Sequence, residues 1–228
     1  FHAEDGIRDT SRGLVGSEMC IRDRARRTHI ASSREMQLIH DDVSRPPDSV
    51  LAGAEVIHTE DAVHSAMDRM AERVTAVLQH ENPIVLAVMT GGMVPAVWLC
   101  SRLKFPHQID YVHATRYIGT TRGGELQWRV EPRLQMSGRS VLIVDDILDE
   151  GITLDAVAQH CRALGAVEVR VAVLVRKQHA RNRTDMRPDF VGLEVPDRYV
   201  FGCGMDYDVY FRNMPAIYAL AAEESDTG

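Results

Sequence analysis

Hydrophobic positions follow two different repeats between residues 50 and 195, and their alternation predicts an α/β fold. Short runs of β-favouring apolar residues are typical of strands that are buried on both faces. Such runs occupy residues 84–89, 109–115, 141–147, 167–175 and 190–195. The intervening segments carry apolar residues at helical spacing, for example Val63, Ala66, Met67, Met70, Val74, Val77 and Leu78. Strands that alternate with helices predict a parallel twisted sheet flanked by helices.

Local signals set the expected ends of several elements. Thr59, followed by Glu60 and Asp61, predicts the start of the first long helix, and Pro83 follows its end. Residues 50–58 are predicted to form a short strand or extended segment. Residues 118–127 are rich in glycine and polar side chains, so they are predicted to form a mobile loop, with a short returning strand at 128–130.

Composition favours a soluble globular protein. The 228 residues are 45% hydrophobic and 26% charged, and no apolar run approaches the roughly 20 residues that span a bilayer. The net charge of −7 argues against broad binding to nucleic acid or membranes. The cysteines lack the spacing of a zinc site, which favours a reducing cytoplasm; they are Cys20, Cys100, Cys161 and Cys203.

The first residues differ from the rest of the chain. Residues 1–27 are polar, show no sustained hydrophobic period, and are dense in Arg, Asp and Gly. The strings at 3–9 and 14–24 resemble translated sequencing-adapter read-through. We therefore expect residues 1–35 to be a non-native or disordered leader, with Met36 as a candidate native start, and residues 223–228 to be a disordered tail.

The most informative segment is the string from Val141 to Leu154. It predicts a buried strand, the carboxylates Asp145, Asp146 and Asp149, a glycine turn and a helix. The carboxyl ends of parallel strands are where open α/β sheets bind ligands, and the backbone N–H groups of residues 150–153 can cradle a phosphate. Crowded carboxylates repel one another unless a cation shares the site. The Asp145-Asp146 pair alone fits helix capping equally well, whereas the whole string predicts a sugar-phosphate site.

This string resembles the phosphoribosyl-diphosphate-binding signature of type I phosphoribosyltransferases. The segment 188–202, with the strings 205–207 and 210–212, is similar to the hypoxanthine-guanine members of that family. The resemblance spans about residues 49–222. It implies purine salvage, in which the 5-phosphoribosyl group passes from phosphoribosyl diphosphate to hypoxanthine or guanine, giving IMP or GMP and diphosphate.

The same resemblance implies a division of the chain. A phosphoribosyltransferase domain would cover residues 36–222. Its parallel core would lie at about 84–180, and a small hood subdomain would be built from about 48–58 and 190–215.

The resemblance also implies roles for residues around phosphoribosyl diphosphate. Asp145 and Asp146 would hold the ribose hydroxyls directly or through Mg²⁺, and Asp149 would be the general base toward the purine imidazole ring. Backbone groups would bind the 5-phosphate from Asp149, Glu150, Gly151, Ile152 and Thr153, with the Thr153 hydroxyl. The diphosphate would meet Thr90, Gly91, Gly92 and Arg212, under a closing loop that begins at Arg116 and Tyr117. Thr90 replaces the lysine common in the family, and Glu150 replaces the commoner threonine.

For the purine, the resemblance implies one lysine, one aromatic side chain and one acid. Lys177 would donate to the 6-oxo group, although Arg176 beside it leaves the assignment open by one residue. Tyr199 would stack on the base and the Val200 backbone would read its edge. Asp206 would lie near the base and a second metal ion.

Three questions stay open at the level of sequence. The base could instead be xanthine or adenine, and the chain could be a nucleic-acid-binding regulator that retains the nucleotide-binding core, although its acidic balance speaks against that. The family forms homodimers or homotetramers, so either is expected here. The histidines show no metal-ligand spacing and receive no role.

Overall fold

The computed structural model describes residues 47–116, 126–179 and 184–220. The predicted leader and tail, Tyr117, and residues 118–125 of the predicted loop lie outside these ranges.

The described residues form four helices and nine strands. The helices are α1 (Pro47–Ala52), α2 (Glu60–Leu78), α3 (Met93–Arg102) and α4 (Ile152–Ala163). The strands are β1 (Glu55–His58), β2 (Ile84–Met89), β3 (Gln108–Arg116), β4 (Leu126–Val130), β5 (Ser140–Leu148), β6 (Glu168–Lys177), β7 (Phe190–Val195), β8 (Val200–Phe201) and β9 (Ile217–Ala219).

The larger sheet has six strands in the order β4-β3-β2-β5-β6-β7. Strands β3, β2, β5, β6 and β7 run parallel, and only β4 at one edge is antiparallel. The predicted parallel α/β fold is therefore confirmed. Because β2, β5 and β6 point the same way, the segments that follow them emerge at one edge of the sheet.

Both faces of this sheet are covered by helices, which explains the unbroken apolar runs of its strands. Successive residues of a strand point to opposite faces. Val85 of β2 and Leu142 of β5 lie in a core cluster with α2 and α3, whereas Leu86 and Ile143 lie in a second cluster with α4.

A second, three-stranded antiparallel sheet has the order β1-β9-β8. The ranges predicted for a hood, about 48–58 and 190–215, include two of its three strands, β1 and β8. The prediction gave residues 190–195 to the hood, and this is wrong because they form β7 of the larger sheet. The central strand of the small sheet is Ile217–Ala219, which lies beyond the predicted limit at 215.

Two local predictions also need correction. Part of the segment 50–58 is helical, because α1 extends to Ala52 before β1 begins at Glu55. Pro47 at the first helical position, with Asp48 in the first turn, favours that helix start. Strand β4 begins at Leu126, two residues before the predicted start. The predicted cap is confirmed, since the Thr59 Oγ1 accepts from the Ala62 N–H at 3.3 Å.

In the ranges that the structure describes, no helix is both long enough and apolar enough to cross a membrane.

Candidate active site

The carboxyl end of β5 forms one wall of a cavity of about 240 Å³. The cavity brings together the three predicted aspartates and the glycine turn; it is lined by Val88, Met89, Gly91, Ala114, Asp145, Asp146, Ile147, Leu148, Asp149, Glu150, Gly151, Thr153 and Leu154. A larger, open groove of about 770 Å³ lies along α2 and α3 but shares none of these residues. The carboxylates and turn that the sequence predicted to meet therefore do so.

The turn at Gly151 requires glycine. Its φ is +83°, and a Cβ there would lie 2.6 Å from the Thr184 hydroxyl oxygen. Gly151 is also the N-cap of the twelve-residue helix α4, and it has no side chain to satisfy the first N–H groups of that helix. Thr153 lines the cavity, whereas Ile152 is half-buried and does not. The turn therefore offers backbone donors and one hydroxyl to an anion.

Asp145 and Asp146 are buried side by side, each only 8% exposed. The Asp146 N–H donates to Asp145 Oδ1 at 2.9 Å, and the Ile147 N–H donates to Asp146 Oδ1 at 2.7 Å. Burial raises the pKa of both carboxyls, and for Asp145 the charge of Asp146 raises it further. The positive charge of Arg212 acts in the opposite direction on both. Such a pair favours a site that is completed by a cation.

Gly91 leaves room for one of these carboxylates. A Cβ on Gly91 would lie 1.8 Å from Asp146 Oδ2, and a Cβ on Gly92 would lie 2.6 Å from the Val144 and Val88 carbonyl oxygens. The loop after β2 can therefore approach the end of β5 only with glycine at both positions. Thr90, which follows a cis peptide bond from Met89, is exposed and does not line the cavity.

Asp149 lies between two cationic or potentially cationic side chains. Its Oδ2 accepts from Lys177 Nζ at 2.9 Å, and its Oδ1 lies 2.6 Å from His179 Nε2. Burial alone raises the pKa of the Asp149 carboxyl, but hydrogen bonds and charge from Lys177 and His179 outweigh it and leave the pKa below its ordinary value. Asp149 is therefore held as a carboxylate.

A second cavity, of about 510 Å³, shares Leu148 and Asp149 with the first. It is lined by Leu148, Asp149, Arg176, Lys177, Gln178, His179, Met186, Arg187 and Pro188. Asp149 thus stands between the carboxylate-lined cavity and a cavity rich in basic side chains.

Arg176 and Lys177 have different partners. Arg176 pairs with Glu194 of the neighbouring strand β7, whereas Lys177 contacts Asp149. Adjacent residues of a strand point to opposite faces, so only one of the two can serve the site. The structure gives that position to Lys177.

The segment after β7 brings Tyr199, Asp206 and Arg212 together. The Tyr199 hydroxyl donates to the Asp206 carbonyl oxygen at 3.1 Å, and Tyr199 is 52% exposed. Arg212 pairs with Asp206 Oδ1 at 2.7 Å and donates to the Gly204 carbonyl oxygen at 2.7 Å. Val200 is buried in β8. Tyr199 and Asp206, predicted for the purine, therefore form one cluster with Arg212, predicted for the diphosphate.

Gly204 joins this cluster to the loop after β2. Its φ is +108°, and a Cβ there would lie 2.2 Å from the Gly91 carbonyl oxygen and 3.3 Å from Asp146 Cβ. The segment around Gly204, the loop at Gly91 and the carboxyl end of β5 are thus in close contact.

Asp145 and Asp146 can contribute to a site for a hard cation, because both supply oxygen and both are buried next to each other. Across the described residues, no group of three His, Cys, Asp or Glu side chains is placed to hold a metal by itself. Oxygens of a bound ligand would have to complete the coordination. Asp206 has one oxygen on Arg212 and the other on the Val209 N–H.

Arg116 and Tyr117 were predicted to begin the closing loop, and of these the structure describes only the backbone of Arg116. The backbone of Arg116 pairs with Leu126 at the end of β3, and Tyr117 lies outside the described residues.

Sequence reasoning missed His179, Gly204 and Thr184. His179 had a readable signal, because it lies two residues after Lys177 and the i, i+2 spacing places both on one face of an extended chain. Gly204 and Thr184 had none, since their importance comes from contacts with Gly91 and Gly151, which are distant in sequence.

Comparison with known proteins gives concordant results. The family model described as "Phosphoribosyl transferase domain" matches residues 53–209. A hypoxanthine-guanine-xanthine phosphoribosyltransferase of Tritrichomonas foetus is 28% identical over 165 residues, covering 72% of this chain and 90% of that protein. A hypoxanthine-guanine phosphoribosyltransferase of Bacillus subtilis is 28% identical over 166 residues, covering 72% and 92%. A solved hypoxanthine-guanine-xanthine phosphoribosyltransferase superposes with a TM-score of 0.67 at 25% identity, covering 73% of this chain and 96% of that one.

Proposed function

The chain belongs to the phosphoribosyl transferase domain family, and from that premise we propose that it is a purine-salvage hypoxanthine-guanine phosphoribosyltransferase. It transfers the 5-phosphoribosyl group from phosphoribosyl diphosphate to hypoxanthine or guanine. The products are IMP or GMP and diphosphate. The transferase domain is taken as residues 36–222, which contain the matched range 53–209.

One observation carries the proposal: Asp145, Asp146, Asp149 and the Gly151 turn line a single cavity. In the reaction the bond between ribose C1 and the diphosphate oxygen breaks and the bond from C1 to the purine nitrogen forms. The purine loses one proton, which Asp149 accepts from the imidazole ring. The 5-phosphate is held by backbone groups from Asp149 to Thr153 and by the Thr153 hydroxyl.

The aspartate pair holds the ribose hydroxyls. Mg²⁺ bound with phosphoribosyl diphosphate would neutralise part of the leaving-group charge, and Asp145 and Asp146 would hold it together with substrate oxygens. Asp206 would reach a second Mg²⁺ only after it releases Arg212, which pairs with it at 2.7 Å. Released Arg212 would then be available to the diphosphate, alongside Thr90, Gly91 and Gly92, with Arg116 and Tyr117 at the closing loop.

Purine selection rests on Lys177, the last residue of β6, and on residues that follow β7. Lys177 donates to the 6-oxo group, the half-exposed Tyr199 ring stacks on the base, and the Val200 backbone reads its edge. A lysine donor favours a 6-oxopurine, whose oxygen accepts its hydrogen bond. The amino group of a 6-aminopurine is itself a donor, so the lysine would have no acceptor there.

Diphosphate release from phosphoribosyl diphosphate tests the proposal directly. The assay uses the full chain with hypoxanthine, guanine, xanthine or adenine, each with and without Mg²⁺. We expect turnover with hypoxanthine and guanine that depends on Mg²⁺, and none with adenine. Exclusive use of xanthine or adenine would change the assigned base, whereas binding of RNA or DNA without any transfer would support a regulator instead.

We further propose that the protein is a homo-oligomer assembled through an apolar patch on α3 and β3. The patch consists of Met93, Val97, Ile109 and Tyr111, with exposures of 43%, 62%, 61% and 37%. These side chains border an apolar cavity of about 140 Å³. Contiguous exposed apolar surface marks interaction sites, and a second copy is the commonest partner of a soluble chain. Met89 lines both this cavity and the carboxylate cavity, so the interface would adjoin the site.

A charge placed in the patch should disrupt the oligomer. Val97→Glu is expected to reduce the mass measured by light scattering to that of one chain, 25.5 kDa, because an unpaired carboxylate cannot be buried at low cost. Val167, 71% exposed and outside the patch, provides the matched control Val167→Glu, which should keep the wild-type mass. An unchanged mass for the Val97 variant, or a monomeric wild type, would refute this interface.

A cytoplasmic location is proposed from the cysteines. Those in the described ranges are free, and burial raises the pKa of Cys100 and Cys161 to about 11 and of Cys203 to about 12. Unpaired, unreactive thiols suit a reducing compartment.

A further inference from the structure

His179 is a buried histidine that contacts the proposed general base. Its side chain is 3% exposed, and its Nε2 lies 2.6 Å from Asp149 Oδ1. At this distance from a carboxylate oxygen, Nε2 carries the hydrogen and donates it. The imidazole therefore fixes one of the two Asp149 oxygens.

Lys177 holds the other oxygen, but in the proposed reaction that lysine also contacts the substrate. Lys177 Nζ lies 2.9 Å from Asp149 Oδ2, and in the proposed function the same ammonium donates to the purine 6-oxo group. Because an ammonium has three N–H donors, Lys177 can donate to the purine and to Asp149 together, but its charge is then shared between them. Oδ2 must also leave room for the imidazole ring of the base, so the Lys177 contact is the one that the reaction perturbs.

In the proposed function no substrate atom is assigned to His179, so its bond to Asp149 can persist through the reaction. His179 lies two residues beyond the end of β6 and lines the basic cavity, as Lys177 does, whereas Asp145 and Asp146 do not. Asp149 is the only one of the three aspartates that lines both cavities. With Oδ1 held by His179, Oδ2 is the oxygen that meets the substrate.

We propose that His179 is a positioning residue: it keeps Asp149 oriented and ionised while Lys177 also donates to the purine. This inference rests on the proposed function. Asp149 Oδ2 takes the purine proton while His179 keeps its own proton, so the imidazole orients the base and does not relay a proton. A fixed carboxylate needs no reorganisation at the moment of transfer.

Charged groups around Asp149 influence the pKa of its carboxyl and therefore the pH dependence of activity. Titratable and charged groups lining its two cavities are Asp145, Asp146 and Glu150 on one side, and Arg176, Lys177, His179 and Arg187 on the other. Donors to Asp149 lower the pKa of its carboxyl, so removal of a donor raises that pKa. The acid limb of the pH profile should then move to higher pH.

Two substitutions of His179 distinguish the effect of its hydrogen bond from the effect of its size. His179→Leu removes the donor, and we expect kcat to fall about 10- to 100-fold, the range for losing a hydrogen bond to a charged group. The KM for phosphoribosyl diphosphate should change less than about threefold, because the lost interaction serves the transition state. His179→Gln retains an N–H donor and should recover most of the turnover and restore the acid limb. The exposed His80 provides the control His80→Leu, which should change none of these.

A second readout does not require turnover. Carbon-13 NMR titration of the Asp149 carboxyl, assigned with Asp149→Asn, should show a higher pKa in the His179→Leu protein than in wild type. An unchanged Asp149 pKa and acid limb would refute the positioning role. A loss of melting temperature with both KM values raised and no rescue by glutamine would assign His179 a purely structural role. An inactive wild type in which the Asp149 pKa still shifts would refute the proposed function and leave the contact intact.

Discussion

Replacing Asp149 with asparagine is expected to lower kcat about 100- to 10,000-fold, the usual contribution of a general base. The KM for phosphoribosyl diphosphate should stay within about threefold of wild type, because the 5-phosphate meets backbone groups that the substitution leaves in place. Asparagine preserves the size of the side chain but cannot accept the purine proton. It also loses the charge that attracts Lys177, which contacts Asp149 at 2.9 Å.

Steady-state measurement of diphosphate release, with the melting temperature as a check on folding, tests this. Asp68 provides a matched control, since its exposed carboxylate pairs with Arg102 along α2 and α3, outside the carboxylate cavity. Asp68→Asn should leave kcat and KM unchanged. Turnover of Asp149→Asn within a few-fold of wild type would remove Asp149 from the role of base and leave the neighbouring aspartates as the remaining candidates.

The carboxylate cavity was the most predictable part of the molecule, for a physical reason. Strand β5 is covered on both faces, so its apolar run is continuous until Asp145, near the carboxyl end of the strand. A glycine turn and a helix follow immediately. Everything that builds this wall lies within 14 consecutive residues, so a local reading was sufficient.

The hood was less predictable because its sheet pairs short strands from distant parts of the chain. The centre of that sheet is β9, only three residues long, which pairs with β1 near residue 55 and with β8 near residue 200. Strands of two to four residues carry almost no periodicity. Their positions depend on tertiary contacts, and the predicted limits at 190 and 215 were misplaced for that reason.

The partners of individual side chains were not fixed by the sequence. Arg176 and Lys177 are chemically similar, and the sequence left the choice open. The structure decides it through Glu194, which lies on the neighbouring strand β7 and pairs with Arg176. The ion pair between Asp206 and Arg212 was not predicted, although both residues were singled out, because the turn that joins them has no regular repeat.

Replacing Asp145 with asparagine is expected to lower activity strongly and to stabilise the free protein. Burial and the charge of Asp146 raise the pKa of Asp145. The folded state therefore binds the proton more tightly than the unfolded state does. It follows that folding free energy is lost as pH rises through the unfolded and then the folded pKa, and that at neutral pH the ionised pair destabilises the fold. Asparagine removes this loss while keeping the shape of the side chain.

The expected stabilisation is an increase in melting temperature of about 2 to 8 °C at pH 7 in the absence of ligands, equivalent to the removal of a modest repulsion in a domain of this size. The gain should shrink toward pH 4, where the wild-type pair takes up a proton. Turnover should fall about 100-fold or more, because a charged group that binds the ribose and its metal ion has been lost.

Melting curves from pH 4 to pH 8, recorded with and without Mg²⁺ and phosphoribosyl diphosphate, distinguish this account from simple packing effects. The ligands should raise the melting temperature of wild type more than that of Asp145→Asn, since a ligand stabilises only the form that binds it. Asp68→Asn should leave the curves nearly unchanged, as surface ion pairs contribute little. A variant that melts below wild type at pH 7 would show that Asp145 stabilises the fold. Repulsion within the aspartate pair would then not destabilise the free protein. A stabilised but inactive variant would mean that the protein maintains two repelling carboxylates at a cost in stability, because only the ionised pair can hold a cationic ligand at the end of β5.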